Sequence, residues 1–184
     1  GASVDRGIFT SNLFRDVTTP LDGINSFSRG WEMAQNSGVI PDSKAFSFLY
    51  YNNNFTQSTS LTPNGSWNKI QGTTSLIDEE RFTATNNRIT YNGVRSIDAK
   101  IYASISAIAT ADARYAIAIY KNDGTSGTIL SPLASLSAVT NGDTFQITLN
   151  SLVPMVEGDY VEVHLLATNG TSITVRDLQF RVTD

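Results

Sequence analysis

The last third of the chain contains three segments in which apolar and polar residues alternate, residues 144–149, 160–165 and 173–175. An alternation with period two is typical of a β-strand that buries one face and exposes the other. A glycine next to Asn, Asp or Glu stands just before each segment and marks a tight turn, because such positions tolerate positive φ. The sequence therefore predicts that the chain ends in a meander of short antiparallel strands.

Similar strand signals recur from Trp67 onward. The longest run, residues 97–109, has apolar side chains at its odd positions and mostly polar ones at its even positions. Residues 81–85 and 88–91 flank the pair Asn86-Asn87, which predicts a hairpin with a tight turn. About eight such strands without alternating helices favour an antiparallel sandwich or jelly roll over an α/β fold.

Two irregularities in this pattern carry structural information. The apolar residues stand at odd positions up to Val175 and at even positions from Leu178 onward. Since a slip of one residue would turn the wrong side chains inward, we predict a β-bulge across residues 176–177. Pro132 interrupts a weaker strand over residues 129–139 and favours an edge position for it.

The N-terminal third of the chain differs from the rest. A short helix is predicted over residues 25–38, with a glycine as its C-terminal stop, and an extra strand over residues 45–51. The polar stretch over residues 56–65 is the best candidate for a boundary. We therefore expect an N-terminal extension or anchor segment, residues 1–62, followed by a β-sandwich domain, residues 63–184.

Composition excludes several functional classes. The net charge is −4 and no Lys/Arg cluster is present, so we predict neither nucleic-acid binding nor attraction to anionic membranes. The chain has no cysteine, which excludes disulfides, thiolate metal sites and a cysteine nucleophile. No apolar run approaches the length of a membrane span, so we predict no membrane insertion.

The sequence offers few residues for catalysis or metal binding. His164 is the only histidine, so one chain cannot build a two-histidine metal site or relay. It stands on the polar face of a strand beside Glu162, where we expect a satisfied or exposed histidine. The acidic run Asp78-Glu79-Glu80 lacks the spaced ligands of a calcium loop and is interpreted as a solvated turn. We predict no catalytic residue, no metal and no cofactor.

Five stretches form a pattern shared with a known family: Phe82 with residues 89–93, then residues 99–108, 115–122, 152–163 and 178–182. The third is an aliphatic strand that ends in Lys-Asn. The fourth is the most specific, with a Leu followed by Gly-Asp, an aromatic residue and Val-x-Val. These stretches resemble the C1q/TNF-like jelly roll, particularly the form found in bacteriophage and bacterial surface proteins.

The resemblance implies an all-β, antiparallel jelly roll that forms a homotrimer with its closing strands near a threefold axis. It also implies that one sheet faces the neighbouring subunits, through outward side chains of the long strand and two later strands. The candidate interface residues are Tyr102, Ser104, Gln146, Thr148, Gln179 and Arg181. Solvent exposure is the alternative for these polar side chains, although tyrosine is enriched at interfaces. A threefold cluster of His164 at the axis is a less favoured possibility.

The same resemblance implies a non-enzymatic virion structural or attachment protein, such as a capsid decoration protein, a head fibre or a tail fibre. The N-terminal segment would bind other virion proteins, and loops on the virion surface would contact a host glycan or protein. The alternatives are a bacterial surface or spore-coat module of this fold and a secreted carbohydrate-binding module. For the last, aromatic residues could form a sugar platform, although core or subunit packing is favoured; these are Phe46, Phe48, Tyr50, Tyr51 and Phe55.

Overall fold

The alternating segments form antiparallel strands in the computed structural model, which describes residues 45–61, 65–93, 95–130 and 133–184. Within these residues the structure contains β-strands and no helix. In chain order the strands are β1 (Phe46–Tyr51), β2 (Thr59–Ser60), β3 (Asn68–Lys69), β4 (Ser75–Glu80), β5 (Phe82–Thr85), β6 (Arg88–Tyr91), β7 (Ile97–Ile108), β8 (Ala113–Asn122), β9 (Gly127–Ile129), β10 (Ala134–Val139), β11 (Thr144–Met155), β12 (Tyr160–Ala167), β13 (Ser172–Ile173) and β14 (Val175–Thr183).

Most strands belong to two sheets. The first sheet has the order β11-β7-β14-β1-β4, and the second has the order β10-β8-β12-β6-β5, with β3 on β12 and β9 on β8. Consecutive long strands therefore cross between sheets, as in a jelly roll. The predicted closing meander is wrong, because β11 and β14 flank β7 in the first sheet while β12 lies in the second. Alternation identifies the two faces of a strand but not its partners.

The inward faces of both sheets form one apolar core. The odd residues of β7 from Ile97 to Ala107 are buried, which confirms the predicted long strand. Tyr115 of the second sheet stacks on Phe145 of the first, with ring centroids 4.7 Å apart. Phe180 on β14 is fully buried in the same core. Burial of such aromatic side chains contributes much of the stability of a sandwich core.

The predicted irregularities are confirmed. The register of β14 on β7 shifts between Val175 and Asp177, which leaves Arg176 as the extra residue of a bulge. Asn86 and Asn87 have φ values of 51° and 58° and join β5 to β6 in a tight hairpin. Strand β10 lies at the end of the second sheet, so the weak strand has the edge position expected for it.

The sandwich begins earlier than the sequence indicated. Strand β1 lies inside the first sheet, between β14 and β4, and buries Ser47, Leu49 and Tyr51. Residues 45–184 form one compact unit, so the sandwich starts at Ala45 and not at residue 63. The polar stretch suggested a boundary, but its described part contains β2, which pairs with β13, and the buried residues Thr59 and Leu61. The predicted helix over residues 25–38 lies outside the described residues.

The acidic run is part of a strand, so its interpretation as a solvated turn is wrong. Asp78, Glu79 and Glu80 end β4, which pairs with β1 at the edge of the first sheet. Most of β4 is exposed on both faces. An edge strand of this kind has no buried face to impose alternation, so its sequence carries no strand signal.

The two ends of the sandwich differ. The described chain enters at Ala45 and ends at Asp184, and the amide of Asp184 donates a hydrogen bond of 2.9 Å to the carbonyl of Ala45. We call this the terminal end. The strand registers place the loops that follow β1, β7, β10 and β12 at the opposite end, which we call the loop end.

Candidate subunit-contact face

The six residues predicted to contact neighbouring subunits all lie on the outer face of the first sheet. Directly paired residues of a sheet point to the same side, and the register pairs Ser104 with both Thr148 and Gln179. It likewise pairs Tyr102 with Arg181, and Gln146 with Ser106. We define the contact face as the outward side chains of β1, β7, β11 and β14: Phe46, Phe48, Tyr50, Lys100, Tyr102, Ser104, Ser106, Gln146, Thr148, Asn150, Leu152, Asp177, Gln179, Arg181 and Thr183.

Hydroxyl, amide and carboxylate groups at the centre of the contact face bond to one another. The Ser104 and Thr148 hydroxyls lie 3.1 Å apart, and Nε2 of Gln146 donates to Oγ of Ser104 at 3.2 Å. The Ser106 hydroxyl donates to the carboxylate of Asp177. A shallow depression of about 290 Å³ lies over this network. Because these groups are already satisfied, the face can meet a partner without leaving them unpaired.

An aromatic strip extends the contact face across β1. Phe46, Phe48 and Tyr50 are half-buried on the outward side of that strand, and the rings of Phe48 and Tyr50 lie 6.1 Å apart. The guanidinium of Arg181 lies 5.6 Å from the centre of the Phe48 ring. The register pairs Arg181 with both Phe48 and Tyr102, so aromatic and cationic side chains form a continuous row.

Sequence reasoning missed this connection. It predicted a strand over residues 45–51 but assigned that strand to the N-terminal extension. The alternation at Phe46, Phe48 and Tyr50 marks a strand with two different faces, but no local signal shows that this strand pairs with β14. Leu152, 61 % exposed on β11, adds an apolar margin on the other side.

The outer face of the second sheet carries a buried charge cluster. Glu162 on β12 is only 4 % exposed. One of its oxygens lies 2.7 Å from Nζ of Lys69 and 2.9 Å from Nε of Arg88, and the other lies 3.1 Å from Nε2 of His164. Burial alone would raise the pKa of Glu162, but hydrogen bonds from His164, Lys69 and Arg88 outweigh it and lower the pKa to about 2.

Aromatic rings enclose this cluster. His164 stacks on Tyr120 with centroids 4.6 Å apart, and the guanidinium of Arg88 lies 3.7 Å from the centre of the Tyr160 ring. Burial raises the pKa of Tyr160, although Arg88 acts in the opposite direction. His164 therefore bonds to Glu162 through Nε2, while its buried Nδ1 has no hydrogen-bond partner among the described residues. It lies on the sheet opposite the contact face. This position contradicts a histidine cluster on that face.

Comparison with known proteins identifies the fold. Murine APRIL at pH 8.0 matches with a TM-score of 0.54 and 9 % identity, over 76 % of this chain and 98 % of that chain. Eiger TNF from S. frugiperda matches with a TM-score of 0.55 and 10 % identity, over 75 % and 92 %. The globular domain of zebrafish complement 1qA matches with a TM-score of 0.51 and 8 % identity, over 77 % and 96 %. The fold is the C1q/TNF-like jelly roll.

This result confirms the predicted all-β, antiparallel fold class. Sequence identities of this size show the fold alone. No protein-family model matches the sequence, and no curated protein matches it significantly.

Two of the stretches that carried the family resemblance meet at the terminal end of the jelly roll. Asp159 is 1 % exposed, and its Oδ2 accepts hydrogen bonds from Nζ of Lys121 at 2.8 Å and the amide of Val156 at 2.9 Å. Lys121 also donates to the carbonyl of Pro154 at 2.7 Å. Gly158 has a φ of 88°, which favours glycine. The Gly-Asp pair therefore turns the chain, as predicted, and Asp159 also binds Lys121.

The described part of the jelly roll offers no metal centre built from three or more His, Cys, Asp or Glu side chains. Nor do the described ranges include a helix long and apolar enough to cross a membrane.

Proposed function

We propose that this chain is a non-enzymatic structural or attachment protein whose jelly roll assembles as a homotrimer through the contact face. The observation that carries the proposal is the aromatic row of Phe48, Arg181 and Tyr102 on the outside of the first sheet. Phe, Tyr and Arg are enriched in protein–protein interfaces. The solvent-facing side of an antiparallel sheet more often carries polar side chains.

The chemistry around this row supports the same proposal. The centre of the face carries hydroxyl and amide groups, and Ser104 is only 6 % exposed even in the single chain. Leu152 provides a further exposed apolar side chain on β11. Such a surface, with apolar anchors beside satisfied neutral polar groups, suits burial against a second copy better than lasting contact with water.

We further propose that the trimer is displayed on the surface of a bacteriophage virion. The sequence resemblance to phage members of the family supports this, and so does the arrangement of the ends. The described chain begins with Ala45 at the terminal end, and the N-terminal segment that precedes it would bind other virion proteins. The loops of the opposite end would be free to contact a glycan or protein of the host.

The loop end has the rigidity that such a role requires. The Thr110 hydroxyl donates to the carbonyl of Ser172 at 2.6 Å, and the amide of Asn141 donates to Oδ1 of Asp112 at 2.7 Å. These bonds join three different loops. A binding surface that is already ordered loses less conformational entropy when it meets its partner.

Sedimentation of the full chain tests the proposed assembly. We expect a mass of three chains, and a mass near the 20.0 kDa of one chain would contradict it. The virion assignment has a separate test in gene order. Portal, major capsid or tail genes beside this gene would support it, whereas sporulation or cell-wall genes would favour the bacterial alternative.

A further inference from the structure

A second site lies away from the contact face. A cavity of about 650 Å³ opens among β3, the β5–β6 hairpin and the segments that follow β1 and β3. Its described lining consists of Lys69, Gly72 and seven residues with amide or hydroxyl side chains. Cavities of this size accommodate small organic ligands.

The chemistry of the lining narrows the class of ligand. Lys69 is the one charged residue of the described lining, and its ammonium is already paired with Glu162 at 2.7 Å. An anionic ligand would therefore gain little binding energy from the Lys69 ammonium. The described lining has no carboxylate or imidazole to bind a cation, and no aliphatic or aromatic side chain to favour an apolar ligand. A neutral molecule with many hydroxyl groups fits this set of donors and acceptors.

The walls of the cavity are held in place by their own contacts. The backbone amide of Gln57 donates to Oδ1 of Asn54 at 3.1 Å. The side-chain Nε2 of Gln57 donates to the Thr73 hydroxyl at 3.1 Å. The Tyr51 hydroxyl donates to the carbonyl of Gln71 at 3.1 Å. A Cβ at Gly72 would lie 2.5 Å from the Tyr51 ring, so the absence of a side chain allows this close approach. The site is therefore built before any ligand arrives.

One lining residue has an unused acceptor. Nδ2 of Asn87 donates to the carbonyl of Ile70 at 3.0 Å, which fixes the side-chain amide. Its Oδ1 is buried and has no hydrogen-bond partner among the described residues. A buried acceptor without a donor is unfavourable, and since Asn87 lines the cavity, we infer that a small shift of its side chain lets a ligand hydroxyl donate to it.

We propose that this cavity binds a neutral saccharide through the side-chain amides of Gln57, Gln71 and Asn87. The site differs from the aromatic platform considered from the sequence, because Phe46, Phe48 and Tyr50 lie on the contact face. None of the described lining residues belongs to the contact face. The inference is therefore independent of trimer formation and of the virion assignment.

Saturation-transfer NMR on the full chain tests this site, with glucose, galactose, mannose and N-acetylglucosamine as probes. N-acetylneuraminic acid and inorganic phosphate serve as anionic comparisons. We expect saturable transfer to at least one neutral sugar and weaker transfer to both anions. Gln57→Ala and Gln71→Ala each remove a side chain that is exposed in the empty cavity, and each should weaken binding about tenfold.

Asn92→Ala is the matched control, because Asn92 is an exposed amide residue outside the cavity. It should leave the affinity unchanged. Transfer to none of the four neutral sugars would overturn the proposal. Binding by the Gln57→Ala and Gln71→Ala variants that is as tight as that of the wild type would overturn it too. So would a preference for either anion. Sedimentation of the same samples separates these outcomes from a failure of the proposed trimer.

Discussion

The outer faces of the two sheets differ in how their polar and aromatic side chains are buried and paired. On the second sheet, Glu162 is buried with Lys69, Arg88 and His164, and aromatic rings enclose the cluster. On the first sheet, the central hydrogen bonds join hydroxyl, amide and carboxylate groups, and aromatic side chains remain half-exposed beside Arg181.

This difference indicates which of the two outer faces would be buried against another chain. The charged groups of the second sheet pair with one another within the chain. The first sheet leaves large aromatic and aliphatic side chains partly in water, and a second copy would remove them from it. The comparison therefore predicts that changes to the first sheet alter assembly, whereas changes to the second alter the stability of the chain.

The largest expected effect is loss of assembly in Phe48→Glu. A charge in the aromatic row would have to be buried at each of the subunit contacts, and central aromatic residues of interfaces contribute about 2 kcal/mol or more each. We expect a monomer by sedimentation, with the β-sheet signal in circular dichroism retained. Thr85→Glu, at an exposed position of the second sheet, is the control and should remain trimeric. If the Phe48→Glu variant remained trimeric, the prediction that the first sheet controls assembly and the second does not would be wrong.

The second effect is a loss of chain stability in Glu162→Gln. Removing one partner of a buried ion pair costs about 3 to 5 kcal/mol. We expect the lower end, because the side chains of Lys69 and Arg88 remain 24 % and 41 % exposed. Urea unfolding measures the change, with Glu157→Gln in an exposed turn as the control. A loss no larger than that of the control would show that the cluster does not stabilise the second sheet.

Acid should reveal the same cluster without a mutation. The folded-state pKa of Glu162 is about 2, below its ordinary value of 4.5, so its stabilising contribution is present above pH 4.5 and is lost as the pH falls towards 2. At about 1.4 kcal/mol per pKa unit, the loss is about 3 kcal/mol. The free energy of unfolding, measured by urea titration from pH 6 to pH 2, should fall less in Glu162→Gln than in the wild type. Parallel curves for the two proteins would argue against this assignment.

The smallest effect is expected from Ser104→Ala at the centre of the contact face. This change removes the hydroxyl that bonds to Thr148 and Gln146, and a neutral hydrogen bond of this kind contributes about 1 kcal/mol. We expect a slightly lower midpoint of thermal unfolding with the trimer intact. A loss comparable to that of Glu162→Gln would mean that the polar network, and not the aromatic row, dominates this face.

The sequence predicted features that depend on local periodicity. Alternation identified the outward residues of β7, β11 and β14, and the shift in phase located the bulge at Arg176. It could not predict which strands are neighbours, because pairing depends on contacts between distant residues. Strand β1 was therefore separated from the face it completes, and β4 was overlooked because an edge strand has no buried face.

The charge cluster was beyond sequence reasoning for the same reason. Glu162 was noted only as a neighbour of His164. Its other partners, Lys69 and Arg88, lie 93 and 74 positions away in the chain, and no local pattern joins them. The cavity lining likewise comes from separate turns and loops whose polar residues resemble ordinary surface residues in the sequence.

Labelling of a single cysteine tests the central claim most directly, because the native chain has none. Gln179→Cys places a thiol on the contact face, at a position that is exposed in the single chain. In the folded protein we predict slow reaction with a bulky maleimide, and fast reaction once Phe48→Glu is added. Fast reaction at residue 179 in both backgrounds, at the rate of a Thr85→Cys control, would contradict assembly through the contact face.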